Sequence, residues 1–83
     1  MATTPSEAAR AISEQIALRD RLPSLKSRRR LRKAKGCTLD ELAKAIGVTK
    51  QTISNYETGH REPRGPYLAA YLAVLDELRG LGK

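Results

Sequence analysis

Among its 83 residues the chain has one cysteine, one histidine, no tryptophan and no phenylalanine. Each scarcity removes a class of function. A lone cysteine forms no internal disulfide and builds no cysteine-based metal site. The lone histidine, His60, sits in a loop-like segment without a second histidine or a cysteine beside it, so no zinc-type ligand set forms around it. Neither a phosphate-cradling glycine loop nor a nucleophile elbow occurs, which argues against an enzyme and calls for no cofactor and no metal. Three tyrosines are the only aromatic residues, leaving little with which to stack splayed RNA bases. No apolar run approaches the length of a membrane span, and the start Met1-Ala-Thr-Thr lacks the basic and apolar regions of a secretory signal. The expectation is therefore a cytoplasmic protein with no membrane partner.

Acids are scarce relative to bases. Nine Asp and Glu stand against sixteen Lys and Arg, a net charge of +7. Such a balance favours a polyanionic partner. The 40% apolar content suits a small globular domain instead of a disordered chain. A chain this short makes one domain, burying about 60–65% of its unfolded surface.

The segment from Thr38 to Thr58 organises the rest. Thr38 followed by Glu41 has capping-box spacing, in which hydroxyl and carboxylate each satisfy an orphan backbone donor. Leu39, Leu42, Ala43 and Ile46 then repeat at helical spacing. Gly47 ends that helix, because glycine reaches positive φ without a Cβ clash. Thr49 is placed to cap a second helix with Ile53 and Tyr56 on its inner face and Lys50, Gln51, Ser54 and Asn55 on the other. An apolar face below and a hydrogen-bonding row above is what a helix needs to rest on a core and meet base edges.

On these residues the segment resembles the helix-turn-helix of the phage repressor and Cro-like DNA-binding proteins, the xenobiotic-response-element type. Ala43 matches the small residue where the two helices touch, Gly47 the turn, and Val48, Ile53 and Tyr56 the apolar positions. Asn55-Tyr-Glu-Thr-Gly59 is similar to the family's usual recognition-helix ending, and the likeness runs from about Leu25 to Leu75. It implies an all-α, lambda-repressor-like bundle of about five helices that binds double-stranded DNA. It also implies that Arg32 pairs with Glu57, tying the first family helix to the end of the recognition helix. Two positions depart from the family pattern: Arg28 stands where an apolar residue is usual, and Leu39 where many relatives carry a glutamine against the DNA backbone. Cys37 occupies an apolar position and reads as a small buried hydrophobe.

Outside the motif, residues 1–23 read as an extension with an extra helix from Ser6 to about Arg21. Its apolar stripe is Ala9, Ile12, Ile16 and Arg19, with Ala8, Ala11, Gln15, Leu18 and Leu22 beside it. The expectation is that this helix packs on the domain and enlarges its core. Residues 24–79 form the helix-turn-helix domain and 80–83 a short tail. Ser24 is placed to cap a helix from Leu25 to about Lys35 that carries seven basic residues and no acid. Arg28, Arg29 and Arg30 are expected there as phosphate contacts, together with Thr49, Thr52, Arg61 and Arg64. Lys50, Gln51, Ser54 and Asn55 are expected to face bases. The last helix, from Pro66 to about Leu78, has the stripe Tyr67, Leu68, Tyr71, Leu72, Leu75 and Leu78. Part of it is expected to close the core; the apolar surface left for a dimer contact is shared between Tyr71, Leu75 and Leu78 of this helix, which is preferred, and Ile12 and Ile16 of the N-terminal stripe.

The resulting expectation is a small repressor that reads a pseudopalindromic operator in the major groove as a homodimer. The alternative is a protein-interaction module, such as a phage-encoded inhibitor or an antitoxin, that keeps the helix-turn-helix as scaffold. That module would tolerate Gln51→Ala and Asn55→Ala without losing its partner.

Overall fold

The computed structural model describes residues 4–80. The remaining residues, 1–3 and 81–83, which carry most of the expected loose start and short tail, lie outside the described residues. Five helices follow one another: α1 (Pro5–Asp20), α2 (Leu25–Ala34), α3 (Leu39–Ile46), α4 (Lys50–Thr58) and α5 (Pro66–Gly80). The chain is an all-α bundle containing a helix-turn-helix, and its described residues include no strand.

Local chemistry sets the helix boundaries. Thr4, Ser24, Thr38 and Thr49 cap the first four helices, each side-chain oxygen accepting from the backbone N–H three residues on. At α3 the box closes, with Thr38 N donating to Glu41 Oε1 at 3.0 Å while Glu41 N donates to Thr38 Oγ1 at 3.0 Å. The Thr38 backbone N–H first, and its hydroxyl second, hold the Glu41 carboxyl below its ordinary pKa, because a hydrogen bond donated to the carboxylate favours the charged form. Gly47 and Gly59 end α3 and α4 in the left-handed region, at φ +88° and +85°. There a side chain would crowd the backbone.

α3, α4 and α5 supply the core. Leu42 and Ala43 meet Ile53 and Tyr56, and Tyr71, Leu75 and Leu78 close over them. The Tyr56 and Tyr71 rings lie 5.2 Å apart at 54°, a tilted contact that their quadrupoles favour. Leu22, Leu31, Cys37 and Val48 fill the edges, so Cys37 is half-buried rather than wholly enclosed, and desolvation raises its thiol pKa. α2 differs in kind: its two buried residues are both arginines, Arg28 and Arg32.

Two expectations are corrected here. α5 packs against α1, α2 and α3 at once, so Tyr71, Leu75 and Leu78 are 0%, 1% and 7% exposed and offer nothing to a dimer partner. Of the α5 stripe only Tyr67 remains largely in solvent. The second correction concerns α1, which touches α5 alone among the helices and has no buried residue. Its half-buried positions are Gln15 and Leu18, continued by Leu22, while Ile12 and Ile16 stay exposed. α1 thus docks by the flank of its apolar stripe and adds little to the core. Polar bonds hold it: Gly65 N donates to Gln15 Oε1 at 3.1 Å, and Arg21 meets Asp76 at 2.7 Å.

Candidate nucleic-acid interface

α4 rests on Ile53 and Tyr56, which are buried, and this fixes what its other side presents. Lys50 and Gln51 are exposed, and Ser54 and Asn55 are half-exposed beside them. Gln51 Nε2 donates to Asn55 Oδ1 at 3.1 Å, one helical turn on, so the two amides form one hydrogen-bonding unit. The unit leaves the Gln51 carbonyl as acceptor and the Asn55 amino group as donor. The four expected base-facing residues therefore share one surface of one helix.

The amino end of α4 borders an open cleft of about 810 Å³. Thr49, Thr52, Arg61 and Arg64 all line it, with His60 and Tyr67. Four residues separated by up to fifteen positions in sequence thus gather around one concavity. Two local devices bring them together. The Gly59 and Arg61 N–H groups both bond the Asn55 carbonyl, which folds the loop back along α4. The buried Pro63 and the Gly65–Gln15 bond then fix the loop's far side. Helix N-terminal dipole, two hydroxyls and two guanidiniums favour an anion in this cleft, against the one carboxylate in its lining, Glu62. His60 turns its Nδ1 to Thr58 Oγ1 at 2.7 Å. Among the described residues no cluster of His, Cys, Asp or Glu fit to hold a metal ion occurs.

The basic run of α2 divides between the helix's two sides. Arg29 and Arg30 are exposed, as are Lys26 and Lys33, and the four line a shallower groove of about 480 Å³ with Leu25 and Thr58. None of the four has an ion-pair partner among the described residues. The first turn of α2 holds no acid. Lys26 there works against the helix dipole, whereas Lys33 in the last turn works with it.

Arg28 corrects the expectation of a phosphate contact. It is 6% exposed and turned inward, donating from Nε to the Pro23 carbonyl and from Nη1 to the Tyr56 carbonyl, both at 2.9 Å. Glu62 stands 3.7 Å from it. The Tyr56 carbonyl lies in the last turn of α4, where carbonyls lack helical partners, so Arg28 caps α4 from outside. The signal for this was its position one turn before Arg32, on the same face of α2. Arg32 is also buried and spends Nε and Nη2 on Glu57 and Nη1 on the Cys37 carbonyl. The bond to Glu57 raises the guanidinium pKa above its already high ordinary value.

Sequence reasoning also missed two supports of the cleft. Gln15 reads as part of an apolar flank, yet it anchors Gly65. Leu25 reads only as the first residue of a helix, yet it lies over Gly59, where an added Cβ would come 2.9 Å from its Cδ1. Neither carries a signal within its own neighbourhood of sequence.

Comparison with known proteins gives one match: a family model described as helix-turn-helix covers residues 29–79. No curated protein and no solved structure matches the chain.

Proposed function

We propose, since the chain belongs to the Cro/C1-type helix-turn-helix family of DNA-binding regulators, that it is a small repressor reading duplex DNA through α4. The observation that carries this reading is the continuity between the α4 surface and the cleft at its amino end. Base-reading groups and phosphate-holding groups stand side by side, which is what sequence-specific docking requires. The joined amides of Gln51 and Asn55 offer an acceptor and a donor, the complement of adenine N6 and N7 in the major groove. Lys50 reaches guanine or a neighbouring phosphate, and Ser54 completes the row. Thr49, Thr52, Arg61 and Arg64 hold the backbone strand at the groove edge. Arg29 and Arg30 hold a second stretch of backbone at the far end of α4, where their groove meets Thr58. Residues 24–79 form the DNA-binding unit, and α1 is an appendage to it.

One recognition helix reads only a few base pairs, too few to single out one site among ~10⁶ or more competing positions in a genome. Two copies related by a two-fold axis, on a pseudopalindromic operator, supply the missing information. Half-site centres then lie ~10–10.5 base pairs apart or at a multiple of that spacing. Selection of bound sequences from a random duplex pool tests the reading. A symmetric consensus with two half-sites is the expected result. Recovery of unenriched sequence would end the base-reading assignment and favour a protein partner.

A further inference from the structure

Tyr71, Leu75 and Leu78 of α5 are buried, and the exposed large apolar side chains among the described residues are Ile12, Ile16, Leu25 and Tyr67. Leu25 covers Gly59 and Tyr67 lines the cleft at the amino end of α4. Ile12 and Ile16 alone form a stripe without an assigned role, one turn apart on α1 and 60% and 47% exposed. We infer that this α1 face is where a second copy of the chain docks, helix against antiparallel helix. The inference rests on the dimeric reading of DNA above.

Three observations select a second copy as the occupant. The first is charge. Residues 5–20 hold three acids (Glu7, Glu14, Asp20) and two bases (Arg10, Arg19), a net of −1 in a chain of +7. Two copies this cationic repel each other over most of their surface, and α1 is where they meet without that cost. The same near-neutrality sets α1 apart from the basic surfaces offered to DNA. The second is mechanical. The flank of α1 beside this stripe is bonded to Gly65, next to Arg64 of the phosphate cleft. A contact across α1 therefore sets two clefts at a fixed distance, as a two-fold operator demands.

The third is the pattern of the stripe itself. In an antiparallel pair centred near Glu14, Ile12 of each copy faces Ile16 of its partner. Arg19 then lies over Ala9, whose small side chain leaves room for the arginine stem. A parallel pair would set Arg19 against Arg19. So narrow a stripe gives a weak contact, which becomes effective when both copies sit on one duplex.

The test uses the full chain and the symmetric duplex recovered from the random pool, beside a duplex carrying one of its halves. Ile12→Lys with Ile16→Lys is expected to weaken binding to the symmetric duplex on the order of 10²-fold, as the linkage between two sites disappears, while half-site binding stays as it was. Since neither residue is buried, circular dichroism and melting are expected to match the parent protein. In a Cys37→Ser background, a mixture of Ile12→Cys and Ile16→Cys chains on the symmetric duplex is expected to cross-link more than either chain alone. Cross-linking of each chain chiefly with itself would overturn the antiparallel arrangement. A symmetric duplex bound equally well by the lysine variant would overturn the α1 assignment and leave dimeric reading intact. A pool yielding no symmetric site would overturn both.

Discussion

Arg32 grips Glu57 at both carboxylate oxygens, Nε to Oε2 at 2.6 Å and Nη2 to Oε1 at 3.0 Å. Both side chains are over 90% buried, so the pair is dry and its partners cannot be replaced by water. Removing one member leaves a buried charge without compensation, which costs far more than the pair itself contributes. Glu57→Ala is expected to destabilise the domain by about 3–5 kcal/mol, a large share of what so small a fold possesses. Arg32→Lys fares badly too, since an ammonium cannot make the two parallel bonds. Adding Arg32→Met to Glu57→Leu should regain much of the deficit. Urea unfolding of the single and double variants checks this, and a double variant no better than Glu57→Ala would show that burial of charge is not the cause.

One turn earlier on the same face, Arg28 separates positioning from phosphate binding. Arg28→Ala strips the outside cap from Tyr56 and leaves Pro23 without its donor. Lower stability is expected, with the slope of log K against log salt unchanged on random duplex. Arg29→Ala with Arg30→Ala is expected to behave oppositely, with parental melting and a slope flatter by about one unit for each phosphate no longer neutralised. A flattened slope for Arg28→Ala would place its guanidinium on DNA after all.

Much of this is legible in the residues, and the division has a physical cause. The helix-turn-helix is written in short-range chemistry: Thr38 with Glu41, Gly47, Thr49 and the spacing of Ile53 and Tyr56 each act within about one turn. The direction of Arg28 is written only through Arg32, one turn on along the same face, and a basic run does not say what an inward guanidinium meets. Deciding it takes the Tyr56 carbonyl, twenty-eight positions away. α1 poses the same difficulty. Its two flanks are similarly apolar, and the choice between them is made by Gly65 and Asp76, at separations of 50 and 55 residues. The fate of the α5 stripe depends on how many neighbours surround it, which periodicity cannot count.

Tyr71 supplies a prediction of opposite sign. Its hydroxyl is the buried side-chain oxygen without a hydrogen-bond partner among the described residues, and desolvation pushes its pKa well up. An unmade bond of this kind costs about 1–3 kcal/mol. Tyr71→Phe keeps the ring against Tyr56 and removes the orphan, so the variant should melt higher than the parent. A lower melting temperature would mean that the hydroxyl is satisfied in solution.

Gly47 tests the turn. An added Cβ there meets nothing within 4 Å, so a substitution is penalised by the backbone alone, at φ +88°. Gly47→Ala should cost about 1–2 kcal/mol and Gly47→Val more, since a β-branched residue tolerates positive φ least. Gly47→Asn should fall nearest the parent, because asparagine visits this region. Equal melting for valine and asparagine would contradict a left-handed turn.

Gln51 carries the most specific claim on DNA. Its amide is bonded to Asn55, so the two are already oriented before any duplex arrives, and little freedom is lost on binding. Removing the side chain deletes one of the two groups aimed at the adenine edge and releases the other. Gln51→Ala should weaken binding to the selected duplex by about 1–3 kcal/mol and relax the preference at one base pair in each half-site. Affinity for random duplex should hardly change, because phosphate contacts dominate there. Repeating the pool selection with the variant separates the two effects. A relaxed preference confined to one symmetric pair of positions identifies Gln51 as a base reader, whereas an equal fall on selected and random DNA makes it a contributor to the shape of α4 alone.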